Sequence, residues 1–296
     1  MGKRIYRIAI AALAAFGAMA ALIAFVDPRP SSPLVVEHFR VPARGYSLAV
    51  TVVRPHGKGP FGVVVLNHGV GAGWAARRRE SPALLMSSAV AFAQRGYAVV
   101  MPLRRGFGET AGEFAEDPGS CSHPDFHHGE QAAAADVLAA YRFAQTLPYA
   151  DADRMILAGQ SAGGVVSLYA AAQSPPGLQA VLAFAAGRGA DPYHPGVPCA
   201  AADVAAVFEE MGRSVKVPVL LTYAQNDLFF GPATAQAWFA RFEAGGGGAE
   251  LVLQPAFRSN GHFLFSDPAG VNVWLPEVED FLRRHRIPFD PPKQRA

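Results

Sequence analysis

Charge is scarce in this chain. Asp, Glu, Lys and Arg make up 17% of its 296 residues while 51% are hydrophobic, which excludes a disordered, collagen-like or strongly charged protein. There is no low-complexity tract and no internal repeat, so fibrous and solenoid architectures are excluded as well. The 30 Gly and 24 Pro are spread rather than clustered, as suits many short turns between regular elements. The length allows one large domain or two small ones, each able to bury a core.

Basic residues are also lacking outside the N-terminus. The formal net charge is +2, yet residues 1–26 hold Lys3, Arg4 and Arg7 and no acid, leaving 23 basic against 24 acidic residues in the remainder. No nucleic-acid partner is therefore expected. After the basic cluster, Ile8 to Val26 form an unbroken apolar run of 19 residues that stops at Asp27-Pro28. That run is longer than the 7 to 15 residues of a signal-peptide core and close to the roughly 20 that span a bilayer. An uncleaved anchor is the first reading. A signal cleaved near Ala18-Met19-Ala20 and a buried soluble helix are the alternatives. In the first two cases residues 1–26 are a targeting segment and residues 27–296 an exported domain, periplasmic or otherwise extracytoplasmic. If the run is uncleaved, residues 8–26 tether it to the inner membrane. Two cysteines, Cys121 and Cys199, are then either a disulfide or two unrelated buried thiols.

From residue 34 onward, strand and helix patterns alternate. Leu34 to Pro42 and Ser47 to Pro55 suggest a hairpin turning at Arg44-Gly45. The runs 61–66 and 97–103 are continuously apolar, the mark of strands covered on both faces. Helices are expected at 81–96, 129–147, 162–173, 203–211, 233–244 and 271–286, with strands at 154–159, 178–184, 218–223 and 250–253. The economical architecture is α/β: one doubly wound, mostly parallel sheet with an N-terminal antiparallel hairpin. Ligands of such sheets sit at the carboxyl ends of the strands.

Residues 159–164 read Gly-Gln-Ser-Ala-Gly-Gly, a G-x-S-x-G pattern between a buried strand and a helix. A serine on a sharp strand-to-helix turn is exposed in a strained conformation, and flanking glycines leave room for it. Its hydroxyl needs a base, and the base needs an orienting acid. Later strand ends offer both: Asp227 in Ala224-Gln225-Asn226-Asp227 and His262 in Asn260-Gly261-His262-Phe263. The order Ser161, Asp227, His262 is that of α/β-hydrolases.

On these residues, with Asn67-His68-Gly69 and Arg105-Gly106-Phe107-Gly108 after earlier strands, residues 34–288 resemble α/β-hydrolases of the dienelactone-hydrolase-like branch. The resemblance implies that fold and a serine hydrolase without cofactor or metal. Dienelactone hydrolases proper carry a cysteine nucleophile where this chain has Ser161, which favours a general small-molecule ester substrate over a lactone. An oxyanion hole is expected from the backbone amides of Ala162, directly after the nucleophile, and Val70, in the glycine-rich loop after residues 61–66.

Other polar groups have blander readings. Cys121, His123, Asp125, His127 and His128 contain metal-ligand types, but their spacing matches no zinc pattern. His68 reads as structural and His194 as an exposed loop residue. Arg104 and Arg105 either hold a substrate carboxylate or brace their loop, and Asp191 and Asp203 are lesser candidates for the acid. The leading reading is an exported serine esterase. The alternatives are a serine peptidase and a non-catalytic hydrolase-fold binding protein.

Overall fold

The computed structural model describes residues 33–289 except positions 72 and 192. The expected anchor over residues 8–26 lies outside the described residues. Among the described residues, no helix is long and apolar enough to cross a membrane.

Strands β1 (Leu34–Ala43) and β2 (Tyr46–Pro55) form the expected antiparallel hairpin. Its two-residue turn contains Gly45 at φ 80°, a conformation glycine adopts without strain. β3 (Phe61–Asn67) and β4 (Tyr97–Leu103) are buried along their whole length. A further two-stranded ribbon, β5 (Gly119–Ser120) and β6 (His123–Pro124), stands apart from the main sheet. β7 (Ala150–Gln160), β8 (Leu178–Phe184), β9 (Val219–Ala224) and β10 (Ala249–Gln254) complete an eight-stranded sheet in the order β1-β2-β4-β3-β7-β8-β9-β10. Pairing is parallel from β4 to β10 and antiparallel only at β1, β2 and the β2–β4 junction.

Alternation along the strands divides the core. Val63, Val65, Met155 and Leu157 enter one apolar cluster, and their neighbours Val64, Leu66, Ile156 and Ala158 enter the other, as the two-residue period of a strand requires. The first cluster is closed by α3 (Phe126–Gln145), α4 (Ala162–Ala171), α5 (Ala201–Ser214) and α6 (Pro232–Ala244), through residues such as Tyr141, Val166, Phe208 and Trp238. The second is closed by α2 (Met86–Ala93) and α7 (Val271–Arg284), where Phe92, Trp274 and Phe281 pack together with Phe265. This is the α/β-hydrolase arrangement expected from the sequence.

Boundaries moved where a cap decided them. α3 begins at Phe126 rather than Gly129 because the Asp125 carboxylate accepts the His128 backbone N–H at 2.9 Å, satisfying an otherwise orphaned amide. His127 and His128 thus belong to a helical turn. The helix expected over 81–96 is a 3-10 turn, Pro82–Leu85, followed by the shorter α2. A short helix α1 (Gly73–Arg78) and the β5–β6 ribbon were not anticipated.

Candidate active site

The chain leaves β3 for β4 on one side and returns through β7 on the other. The crevice beyond the ends of β3 and β7 is therefore the topological switch point, where ligands bind in sheets of this kind. Ser161 sits there, between β7 and α4, at φ 58° and ψ −127°. Such a backbone is costly for any residue with a side chain and persists only when its surroundings hold it. Here the Ser161 N–H donates to Phe184 O at 2.9 Å, and Ser161 O accepts from Gly164 at 2.9 Å and Gly187 at 3.3 Å. The glycines leave no alternative. A Cβ on Gly159 would lie 2.2 Å from Gly163 O, and one on Gly163 would lie 2.2 Å from Asn67 O. The Ala162 amide is the first of α4 and has no intrahelical acceptor.

The loop after β3 lies against this turn, since a Cβ on Gly69 would come within 3.3 Å of Ser161 Cβ. Its peptide planes are held from behind. The Arg104 backbone N–H donates to His68 Nε2 at 3.3 Å, so the ring proton is on Nδ1, which donates to Gly69 O at 2.7 Å. Arg104 Nη1 donates to His68 O at 2.9 Å. These hydrogen bonds fix the carbonyls of residues 68 and 69, directly before Val70. His68 is buried, and burial followed by the nearby Arg104 charge lowers its pKa to about 3, leaving the ring neutral.

Arg104 is itself part of a buried charge cluster. It pairs with Glu116, which also accepts from Arg188 Nη2 at 3.0 Å, while Arg188 pairs with Glu130. Burial pushes Glu116 up, but the Arg104 and Arg188 guanidinium groups outweigh it and hold the carboxyl at about 2. Glu130, with burial dominant, is raised. Arg104 is fully buried, so of the two roles weighed for it the structure selects bracing. Arg105 likewise braces, through its backbone N–H to Asp136 at 2.8 Å and its side chain to Ala132 O at 3.2 Å.

His262 occupies a 3-10 turn, Gly261–Phe263, whose start is capped by Asn260 Oδ1. Its Nδ1 lies 3.0 and 3.2 Å from the two Asp227 carboxylate oxygens. Asp227 is fixed in turn by the Phe229 and Phe230 backbone amides at 2.8 and 2.9 Å. With Nδ1 donating to the carboxylate, Nε2 is the free ring nitrogen. Gln160, next to Ser161 in sequence, donates to His262 O at 2.6 Å, and Asn226 ties the Asp227 loop to residues 257 and 258. Gln160, Asn226 and Asn260 escaped the sequence reading. Their only signal was adjacency to the candidate residues.

Ser161, His262, Gly69 and Val70 line one cavity of about 440 Å³, with Gln160, Glu80, Leu84, Leu85, Ala190, Phe229, Phe263 and Asp267 among its other walls. Three of the five expected site residues, Ser161, His262 and Val70, thus line one cavity, and Asp227 is paired with His262. Ala162, directly after Ser161, is buried at the start of α4. No hydrogen bond joins Ser161 Oγ to His262 among the described residues, as is common before substrate closes a catalytic site. Asp191 makes no hydrogen bond to His262 among the described residues: it pairs with His194 and accepts the Tyr193 N–H. Asp203 lies in the first turn of α5. Of the cluster with metal-ligand types, Cys121 is joined to Cys199 in a disulfide, and no group of three or more metal-ligating side chains forms among the described residues.

The family model described as X-Pro dipeptidyl-peptidase (S15 family) matches residues 44–206, which include Ser161 and the Gly69–Gly71 loop but neither Asp227 nor His262. By sequence, no curated protein is significantly similar. Among solved structures, a Klebsiella pneumoniae protein described as a dienelactone hydrolase superposes with a TM-score of 0.58 at 16% identity, covering 85% of this chain and 100% of its own. An esterase of Pyrococcus furiosus gives 0.59 at 15% identity, over 86% of this chain and 91% of its own. An acylaminoacyl peptidase of Pyrococcus horikoshii gives 0.58 at 14% identity, over 93% of this chain and 45% of its own. These likenesses establish the fold.

Proposed function

From the premise that the chain belongs to the X-Pro dipeptidyl-peptidase (S15) family of α/β-hydrolases, we propose that it is an exported serine hydrolase that cleaves carboxylic esters of modest size through an acyl-enzyme. The observation that carries this reading is the His262 to Asp227 pairing at 3.0 Å on the wall of a cavity shared with a left-handed Ser161. In the proposed cycle Ser161 Oγ attacks the acyl carbon as His262 Nε2 takes its proton. His262 then returns the proton to the departing alkoxide, and Asp227 holds the tautomer and stabilises the imidazolium. The Val70 and Ala162 amides receive the negative charge that develops on the carbonyl oxygen. Water repeats the sequence to release the acid.

Family membership keeps amide cleavage as a second reading, because the same groups act on peptides. A fluorophosphonate that labels wild type and spares Ser161→Ala separates either enzyme from a non-catalytic binding protein. Aryl esters of increasing acyl length set beside peptide p-nitroanilides then decide between ester and amide. A higher kcat/KM for the anilides would overturn the ester reading. Export is part of the proposal, and the Cys121–Cys199 disulfide supports it, since such bonds persist in oxidising compartments. Cell fractionation and mass spectrometry of the mature N-terminus test it, and a full-length protein recovered from the cytoplasm would refute it.

A further inference from the structure

One wall of the cavity carries a carboxylate that no step above employs. Glu80 lies between α1 and the 3-10 turn Pro82–Leu85, in the same cavity as Ser161 and His262. Its side chain is 9% exposed. A carboxylate so enclosed is normally matched by a cation or by several donors. Glu80 has neither. Its nearest basic side chain is His68, 4.0 Å away, and that ring is neutral, with its Nδ1 proton committed to Gly69 O. Arg104 acts on it at a distance but is bound to Glu116. The Ser81 backbone N–H is the one donor that lowers its energy as an anion.

The other charged groups of the cavity sharpen the contrast. Asp267 accepts the Ala269 N–H at 2.9 Å and the Arg258 Nη2 at 3.0 Å, so it is spent on its own turn and on an ion pair. His262 is paired with Asp227. Among the described residues lining the cavity, Glu80 alone presents an anion without a protein counterion. Leu84, Leu85, Phe229 and Phe263 give the same cavity apolar walls, which suits the hydrocarbon part of a cationic ligand.

We propose that Glu80 is a specificity-determining residue that binds a substrate cation, so that the enzyme prefers esters bearing an ammonium group over their neutral isosteres. This rests on the serine-hydrolase reading and adds the substrate's charge to it. Burial raises the Glu80 pKa to about 7, against a smaller opposing effect of Arg104. The preference is accordingly pH-dependent, fully expressed when Glu80 is ionised and lost as it protonates. His68 stays neutral throughout this range, so it does not imitate the effect.

The test compares kcat/KM within two isosteric pairs whose charges do not titrate between pH 6 and 8.5. For a cation on the alcohol side the pair is choline butyrate and 3,3-dimethylbutyl butyrate. For one on the acyl side it is Nα-acetyl-lysine methyl ester and the methyl ester of Nα-acetyl-2-aminoheptanoic acid, in which a methyl group replaces the ammonium. Taking the ratio within a pair cancels any pH dependence of the chemical step, which both esters share. At pH 8.5 one pair should favour the cationic ester by about tenfold, the scale of one partly enclosed charge pair. The ratio should fall toward one at pH 6 and in Glu80→Gln at every pH. A ratio near one in both pairs for wild type overturns the proposal, as does a preference that survives in Glu80→Gln. The pH dependence in wild type keeps the test decisive if that variant does not fold. Failure of wild type to turn over either neutral ester would instead sink the hydrolase reading, and this proposal with it.

Discussion

Reduction of the Cys121–Cys199 bond should cost this protein a large part of its stability, and the amount can be worked from the separation of the two residues. They are 78 positions apart. In the chain-entropy account a cross-link closing a loop of that size removes enough unfolded-state freedom to stabilise by about 4.5 kcal/mol at 25 °C. For a domain of this size each kcal/mol corresponds to roughly 2–4 °C, so the thermal midpoint should drop by about 9–18 °C. The Cys121→Ser/Cys199→Ser double variant, followed by circular dichroism, measures this without a reductant. Urea titration adds a second signature. An uncross-linked chain exposes more surface when unfolded, so m should rise as the midpoint falls. The bond also closes a local structure. Cys199 N donates to Gly189 O at 2.7 Å, and the loop between them contributes Ala190 to the cavity wall. Proteolysis within residues 189–199 should accelerate in the double variant. A midpoint within 2 °C of wild type together with an unchanged m would refute the reasoning.

Four further outcomes are expected. Ser161→Ala and His262→Ala should each abolish most ester hydrolysis, with the double variant little worse because the groups act as one unit; Asp191→Asn should match wild type in kcat, and equal damage there and in Asp227→Asn would reassign the acid. Gly163→Ala, whose Cβ would meet Asn67 O at 2.2 Å, should lower stability by about 1–3 kcal/mol and distort the turn bearing Ser161, so retention of both midpoint and full fluorophosphonate labelling would contradict the packing argument. Arg104→Met leaves Glu116 short of one buried partner and should cost about 3–5 kcal/mol, read by urea unfolding, with kcat falling more than KM rises if the loop bearing Val70 loosens. In acid, His68 (pKa about 3 folded, 6.5 as reference) and Glu80 (about 7 folded, 4.5 as reference) act in opposite directions. Between pH 6.5 and 4.5 the unfolded chain binds one more proton at residue 68 and one fewer at residue 80, so the contributions of these two residues to the pH dependence of stability nearly cancel. Below pH 4.5 the unfolded chain also takes the proton that Glu116 refuses until about pH 2, and stability should fall. Glu80→Gln should lose stability toward acid more steeply than wild type by about 1.4 kcal/mol per pH unit between 6.5 and 4.5, and parallel profiles would count against the buried, raised Glu80.

The strands were legible because each carries its own pattern. β8 runs over the residues expected, 178–184, and β3 and β4 are buried on both faces as their unbroken apolar runs required. Ser161 was legible through its glycines, whose necessity is local and steric. Elements whose cause is not local were missed. α1 and the β5–β6 ribbon have no repeating apolar face, and the ribbon is joined through Cys121 to Cys199 on a distant loop. Arg104, Glu116, Glu130 and Arg188 read along the chain as ordinary charges, and only the fold brings them together in the dark. Glu80 left no trace in the sequence, because what distinguishes it is the lack of a partner.

The loop of residues 188–200 is strapped at both ends. Beyond the disulfide, Gly196 N donates to Leu228 O at 2.7 Å, and Gly196 O accepts from Gly231 N at 2.9 Å and Thr234 Oγ1 at 3.0 Å. The turn bearing Asp227 is thereby sewn to the segment that borders the cavity. For anyone recombining such enzymes, this segment is not an exchangeable cassette. A graft spanning residues 189–200 would carry away the hydrogen-bond partners of residues 228–234 and strand Cys121, so donor loops must bring their own 227–234 turn and their own ribbon with them. Diversification at this rim is confined to side chains such as Tyr193 and Val197, which stand exposed on a backbone already committed at both sides.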